Sequence, residues 1–372
     1  MHHDCPYNTL PERAFFRNQV LRSGDLALDR HADIQLTPNQ RVVSAGSCFA
    51  ARIAAFIRES GVNFLSCDDR VTADENAIRE ETPNTFSLRY GNIYTVKQLM
   101  QLLQRASGTL TVDAPAAVDK NGRLRNLLRP GVLSYSDLDV LRADDATHLQ
   151  NVRRLLGEAD LFIFTLGLTE YWRDGALDLA LPSTPGCGYD EYNPERHHFH
   201  NASLVEVVNE LVQVFALLHG INPALRVLLT VSPVPLVATY EPMSAVEATF
   251  YSKSVLRQAI THAIASWPVK NVDYFPSYEI VTNPHVIAEN FESDMRGISA
   301  VGVQRVMSNF RSRYIAGRTQ VETSPQMEPL KPLMMAPLGM GGADAPPRET
   351  VDPVCEEENV WLAYLNKHGP SQ

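Results

Sequence analysis

The chain has 372 residues, 44% of them hydrophobic and 20% charged, with a formal net charge of -10. That size and balance suit one large α/β domain with extensions, or two small domains, with enough apolar residues for a sizeable core. The acidic balance argues against a nucleic-acid partner, and the five cysteines (Cys5, Cys48, Cys67, Cys187 and Cys355) contain no CxxC pair, which suits neither a disulfide framework nor a zinc site.

Residues 1–40 are mixed and polar and are expected to form an N-terminal arm. Their start has no basic stretch followed by an apolar one, and no apolar run approaches ~18 residues, so neither a signal peptide nor a membrane span is expected, and the location is expected to be cytoplasmic. The run Val42-Val43-Ser44-Ala45 predicts a strand over 41–45. Gly46-Ser47-Cys48 follows at once, and Ala50, Ile53, Ala54 and Ile57 then repeat at helical spacing, predicting a helix over about 48–60 that Gly61 terminates. A strand, a glycine turn and a helix start lift a side chain out at the carboxyl edge of a sheet, over amides that favour negative charge. Cys48 is the candidate nucleophile, because a helix N-terminus raises the thiolate fraction. Ser47 is the neighbouring candidate, with helix capping as its plainer role.

Val62 to Leu65 reads as a short strand, and Val96, Leu99, Met100 and Leu103 place a helix near 94–103. Residues 105–147 show no clear period, and Arg123-Leu124-Arg125 is expected on a solvated surface. Three further apolar runs, Leu161 to Leu166, Val227 to Val231 and Val272 to Phe275, lack polar alternation and are separated by helical patterns near 203–219 and 245–266. Such runs are strands buried on both faces, so the fold class is α/β with a doubly wound parallel sheet. Ligands bind beyond the carboxyl ends of such strands. Those ends carry Ser47 and Cys48, Thr169 and Glu170, Ser232, and Ser277 and Glu279, which reads as one composite site. His197, His198 and His200 read as a polar loop, and no metal is expected. The glycines of 339–342 follow no strand, so no phosphate loop and no cofactor is expected. A last helix is expected over about 299–314, a Pro-, Met- and Gly-rich tail over 321–372, and within it a short docking helix from Asn359 to Leu365.

Gly46-Ser47-Cys48-Phe49-Ala50 resembles the signature of the GSCFA family, grouped with the SGNH (GDSL-like) hydrolases. The segments 89–94, 165–170, 230–234, 251–254 and 274–279 fit the same family in order, so the resemblance spans about 41–312. It implies a three-layer SGNH-like sandwich over 41–320 and an esterase or O-acyltransferase acting on an acyl ester or thioester, with glycan and lipid esters among the candidates. It puts Cys48 at the position of the usual serine. It implies oxyanion donors at Gly91 or Asn92 and at Gly167 with Thr169, where an asparagine is usual. It also exposes a missing base: Asp294 stands where an aspartate is usual, but the histidine position is Gly297. His285, Glu170 and Glu279 are the candidate substitutes, with ion pairing to Lys253, Arg257 or Arg296 as the plainer role of the two glutamates. The missing histidine also admits an inactive SGNH-fold module that binds an acylated or glycan ligand.

Overall fold

The computed structural model describes residues 5–20, 34–67, 86–119, 122–315 and 357–368. Most of the expected tail lies outside the described residues, as does Cys355.

After a short helix α1 (Phe16–Val20) the chain enters the sheet with β1 (Arg41–Gly46), followed by α2 (Cys48–Glu59) and β2 (Asn63–Phe64). Gly61 follows α2 with φ +80°, the left-handed geometry expected of it. Next come α3 (Val96–Ser107), the hairpin β3 (Ala116–Val118) and β4 (Leu124–Asn126), and α4 (Leu138–Glu158). The second half runs through β5 (Leu161–Leu166), β6 (Glu170–Asp174), β7 (Leu179–Leu181), β8 (His197–Asn201), α5 (Leu204–Ile221), β9 (Arg226–Val231), α6 (Ala245–Ser266) and β10 (Val272–Phe275). It closes with α7 (Ser277–Val281), α8 (Ile287–Asn290), α9 (Ala300–Tyr314) and α10 (Glu358–His368).

The main sheet has the order β10-β9-β5-β1-β2, and every pairing in it is parallel. Both faces are covered, which is why its strands lack polar alternation. Along β5, Phe162, Phe164 and Leu166 face one core with α3, α4, α5 and α6, while Leu161 and Ile163 face a second core with α2, α7 and α9. The strand order reverses between β1 and β5, and ligands bind beyond the carboxyl ends of strands at such a reversal.

Two expectations are corrected here. The histidines at 197–200 are not a loop: they form β8, which pairs antiparallel with β6, with β7 on the other side of β6. Arg125 is not solvated: its guanidinium is buried and donates to Asp119 at 2.8 Å. α5 is also long and apolar enough by composition to cross a membrane, which the sequence reading missed. Here it lies against α3 and α6 and buries Val207, Leu211, Val214, Phe215 and Leu218.

Candidate active site

β1 ends in a turn that only glycine fits. Gly46 has φ +145°, and a Cβ there would stand 2.6 Å from the Thr165 carbonyl oxygen on β5. The next residue, Ser47, donates its amide to that same carbonyl at 3.2 Å and caps α2 by position. Its side chain makes no capping bond; it is 2% exposed, and its Oγ finds no hydrogen-bond partner among the described residues. Cys48 is the first residue of α2 and is half-buried, so its sulfur sits at the helix N-terminus with partial access to solvent. The first amides of a helix lack intrahelical acceptors and point toward such a position.

Two loops converge on this turn. The 91–95 segment is tied to it by the Ile93 amide, which donates to the Gly46 carbonyl at 2.9 Å. The loop after β5 is tied to that segment, because the amides of Gly167 and Leu168 both donate to the Tyr94 carbonyl, at 2.8 and 2.9 Å. Gly167 is also tightly placed: a Cβ on it would meet the Ser47 Cβ at 3.1 Å. Asn92 is buried in this junction, and Gly91 takes φ +69° beside it.

In this structure the hydrogens of two expected oxyanion donors go to protein partners. The Gly167 amide is given to the Tyr94 carbonyl. The Thr169 hydroxyl donates to Asn201 Oδ1 at 2.7 Å and its amide to Ser252 Oγ at 3.0 Å. Gly91, Asn92 and the first amides of α2 remain as candidates.

The candidate bases have different partners. Glu279 takes Arg257 Nε and the Tyr274 hydroxyl, each at 2.7 Å, so the ion pair considered for it is present with Arg257. Glu170 is not ion-paired in this way. It accepts from the Thr239 hydroxyl at 2.7 Å and the Tyr240 amide at 3.4 Å, and burial pushes its carboxyl up despite these bonds. His285 sits in an exposed turn with its amide on Asn283 Oδ1. Asp294 is exposed and spends Oδ1 on its own loop, accepting from the amides of Arg296 and Gly297 at 2.9 Å each.

The group the sequence reading undervalued is Lys253. It projects from α6 into the protein, 1% exposed, and its Nζ donates to the Gly167 carbonyl at 2.7 Å. Burial lowers its pKa to about 8, against the opposing pull of Glu357 and Cys48, while Arg296 adds to the lowering. Lys253 therefore lies within electrostatic range of Cys48, Glu357 and Arg296. A signal was present in the sequence: Lys253 is in phase with Leu256 and Ile260 on the inner face of its helix, where an unpaired lysine is costly. Glu357 gave no such signal, since it is more than a hundred residues away in the chain.

The model of the GSCFA family matches residues 41–310, so the chain belongs to the GSCFA family. No curated protein matches it. Solved structures similar to it include three esterases. A carbohydrate esterase family 3 protein from Talaromyces cellulolyticus is 10% identical, with a TM-score of 0.34 over 73% of this chain and 94% of that one. An acetyl esterase mutant solved with acetate is 11% identical, with a TM-score of 0.34 over 73% of this chain and 93% of that one. A peptidoglycan O-acetylesterase is 10% identical, with a TM-score of 0.33 over 82% of this chain and 95% of that one.

Proposed function

We propose, for this member of the GSCFA family, an SGNH-like esterase or O-acyltransferase in which Cys48 attacks an acyl ester or thioester. The observation that carries the reading is a half-exposed thiol on the first turn of α2 with the buried amine of Lys253 within its field.

Each part has a physical role. A lysine with a pKa near 8 is part neutral at neutral pH and takes a proton from the thiol. The thiolate then adds to the acyl carbon. The carbonyl electrons move onto oxygen, where the first amides of α2 and the Asn92 amide side chain are the donors; one such donor is worth about 3–4 kcal/mol. Collapse breaks the bond to the leaving group, which takes the proton from the Lys253 ammonium. Water or an acceptor hydroxyl, on a glycan or a lipid, then removes the acyl group from sulfur. Which one enters decides between hydrolysis and transfer. Neither a metal nor an organic cofactor has a part in this scheme.

Gly297 favours a second reading, an inactive module that binds an acylated or glycan ligand, because glycine carries no proton acceptor. The two are separated by turnover of chromogenic acetyl and longer acyl esters. The first reading predicts release that Cys48→Ala lowers by ~10³-fold or more and Ser47→Ala leaves largely intact. Absence of release and of any covalent adduct supports the second.

A further inference from the structure

Arg296 stands one residue before the glycine that replaces the usual histidine, on the loop that Asp294 organises. Its guanidinium is 19% exposed and is held by two carboxylates from the far end of the chain: Glu357 at 2.9 Å, itself 15% exposed, and Glu358. Glu357 also lies in the field of Lys253, which lies in the field of Cys48. Arg296, Glu357 and Cys48 therefore all act on Lys253 through its electrostatic field, and Glu357 is bonded to Arg296. Among the described residues α10 buries none of its own, and Trp361, Leu362, Tyr364 and Leu365 are exposed. A buried cation needs a counter-charge, and Glu357 supplies one to Arg296.

We propose that Arg296 and Lys253 form a carboxylate-binding subsite beside Cys48, that it receives an anionic group of the acyl donor or acceptor, and that the chain's own Glu357 fills it in this structure. The proposal rests on the acyl-transfer reading only for what the anion belongs to; the subsite itself is a matter of charge and geometry. With Glu357 and Glu358 in place the cluster of two cations and two anions is close to neutral. Without them it is positive and open, and it attracts a carboxylate toward the sulfur.

The test compares alkylation of Cys48 by iodoacetate and by iodoacetamide. The two reagents share one displacement, in which sulfur bonds to the CH2 carbon and iodide leaves, and they differ in carrying a carboxylate or a neutral amide. The rate ratio is followed on the Cys48 peptide by mass spectrometry, with the exposed Cys5 of the same sample as the reference. In the full-length E357Q/E358Q chain the iodoacetate-to-iodoacetamide ratio at Cys48 is expected to rise by roughly fivefold, the size of one screened ion pair, while the ratio at Cys5 stays put. Adding R296Q is expected to reverse most of that rise. A ratio unchanged in E357Q/E358Q, or a rise that R296Q leaves intact, overturns the subsite. Mere uncovering of the sulfur would speed both reagents alike. Failure of the acyl-transfer reading would show separately, as no release from chromogenic esters by the same proteins.

Discussion

Among the described residues, buried charge is treated differently in two places. Under α3 and α4, Arg129 donates to Asp144 at 2.6 Å, Arg125 donates to Asp119 at 2.8 Å, and Arg105 pairs with Asp145. Each of these arginines has its own aspartate, and second donors complete the set: the Tyr135 hydroxyl on Asp144 at 2.6 Å and Asn126 on Asp145 at 3.0 Å. These charges are closed, and they fasten α4 to the hairpin beside it. Lys253 is equally buried, yet its short bond goes to a carbonyl, and the groups that raise its pKa through their charge are Glu357, from the far end of the chain, and Cys48. A charge meant only to hold the fold is paired locally and permanently. The lysine is left able to gain and lose a proton.

The contrast is sharpest when each kind of charge is removed. Asp144→Ala strands Arg129 and the Tyr135 hydroxyl, and is expected to cost about 3–5 kcal/mol in urea unfolding with no direct effect on the chemistry of Cys48. Lys253→Met replaces a buried cation by an apolar chain of similar reach. It is expected to leave unfolding almost unchanged or slightly improved, and to slow ester turnover by ~10²–10⁴-fold. If Lys253→Met unfolds the protein and Asp144→Ala does not, the comparison is wrong.

The two places should also part in their pH dependence. Burial alone would push the Asp145 carboxyl up, but Arg105, with Arg129 and Asn126, more than offsets it, and the folded value lies below the ordinary one. The unfolded chain then binds more protons in that window. The stability Asp145 adds is therefore complete above about pH 4 and is lost as pH falls below it. Lys253 is lowered by burial to about 8 from an ordinary 10.5, so the folded chain gives up its proton first. The cost it imposes is full below about pH 8 and fades as pH climbs toward 10.5. Urea unfolding of the wild type minus that of Lys253→Met should therefore grow more favourable to the wild type between those values, with the acid limb shared by both. A flat difference would mean that Lys253 keeps its proton throughout.

The smallest effect is expected at Ser47. Its buried hydroxyl has no partner among the described residues, so Ser47→Ala removes an unsatisfied group and should change stability by no more than about 0.5 kcal/mol. A loss above 2 kcal/mol would reveal a bonding role for that hydroxyl.

What could be read beforehand follows the same division. The parallel strands were legible because both faces are apolar, so Leu161 to Leu166 and Val227 to Val231 stand out without any knowledge of the sheet. The turn at Gly46 was legible because backbone geometry demands glycine there. α4 was not, since Asp144, Asp145 and His148 occupy its buried face and break the apolar period. The ribbon of β6 and β8 was hidden by its histidines. At the site, a motif names residue types but not where their hydrogens go. Thr169 and Gly167 look like oxyanion donors until Asn201, Ser252 and Tyr94 claim their protons. Lys253 and Glu357 come within each other's field only through tertiary structure, and no local pattern announces it.

The most direct measurement is peptide mapping of the protein quenched in acid during reaction with a p-nitrophenyl ester. An acyl group on the sulfur of Cys48, present in wild type and Ser47→Ala, strongly reduced in Lys253→Met and absent in Cys48→Ala, is the expected result. An acyl group carried by Ser47 instead, or none on any residue while product is released, would contradict it.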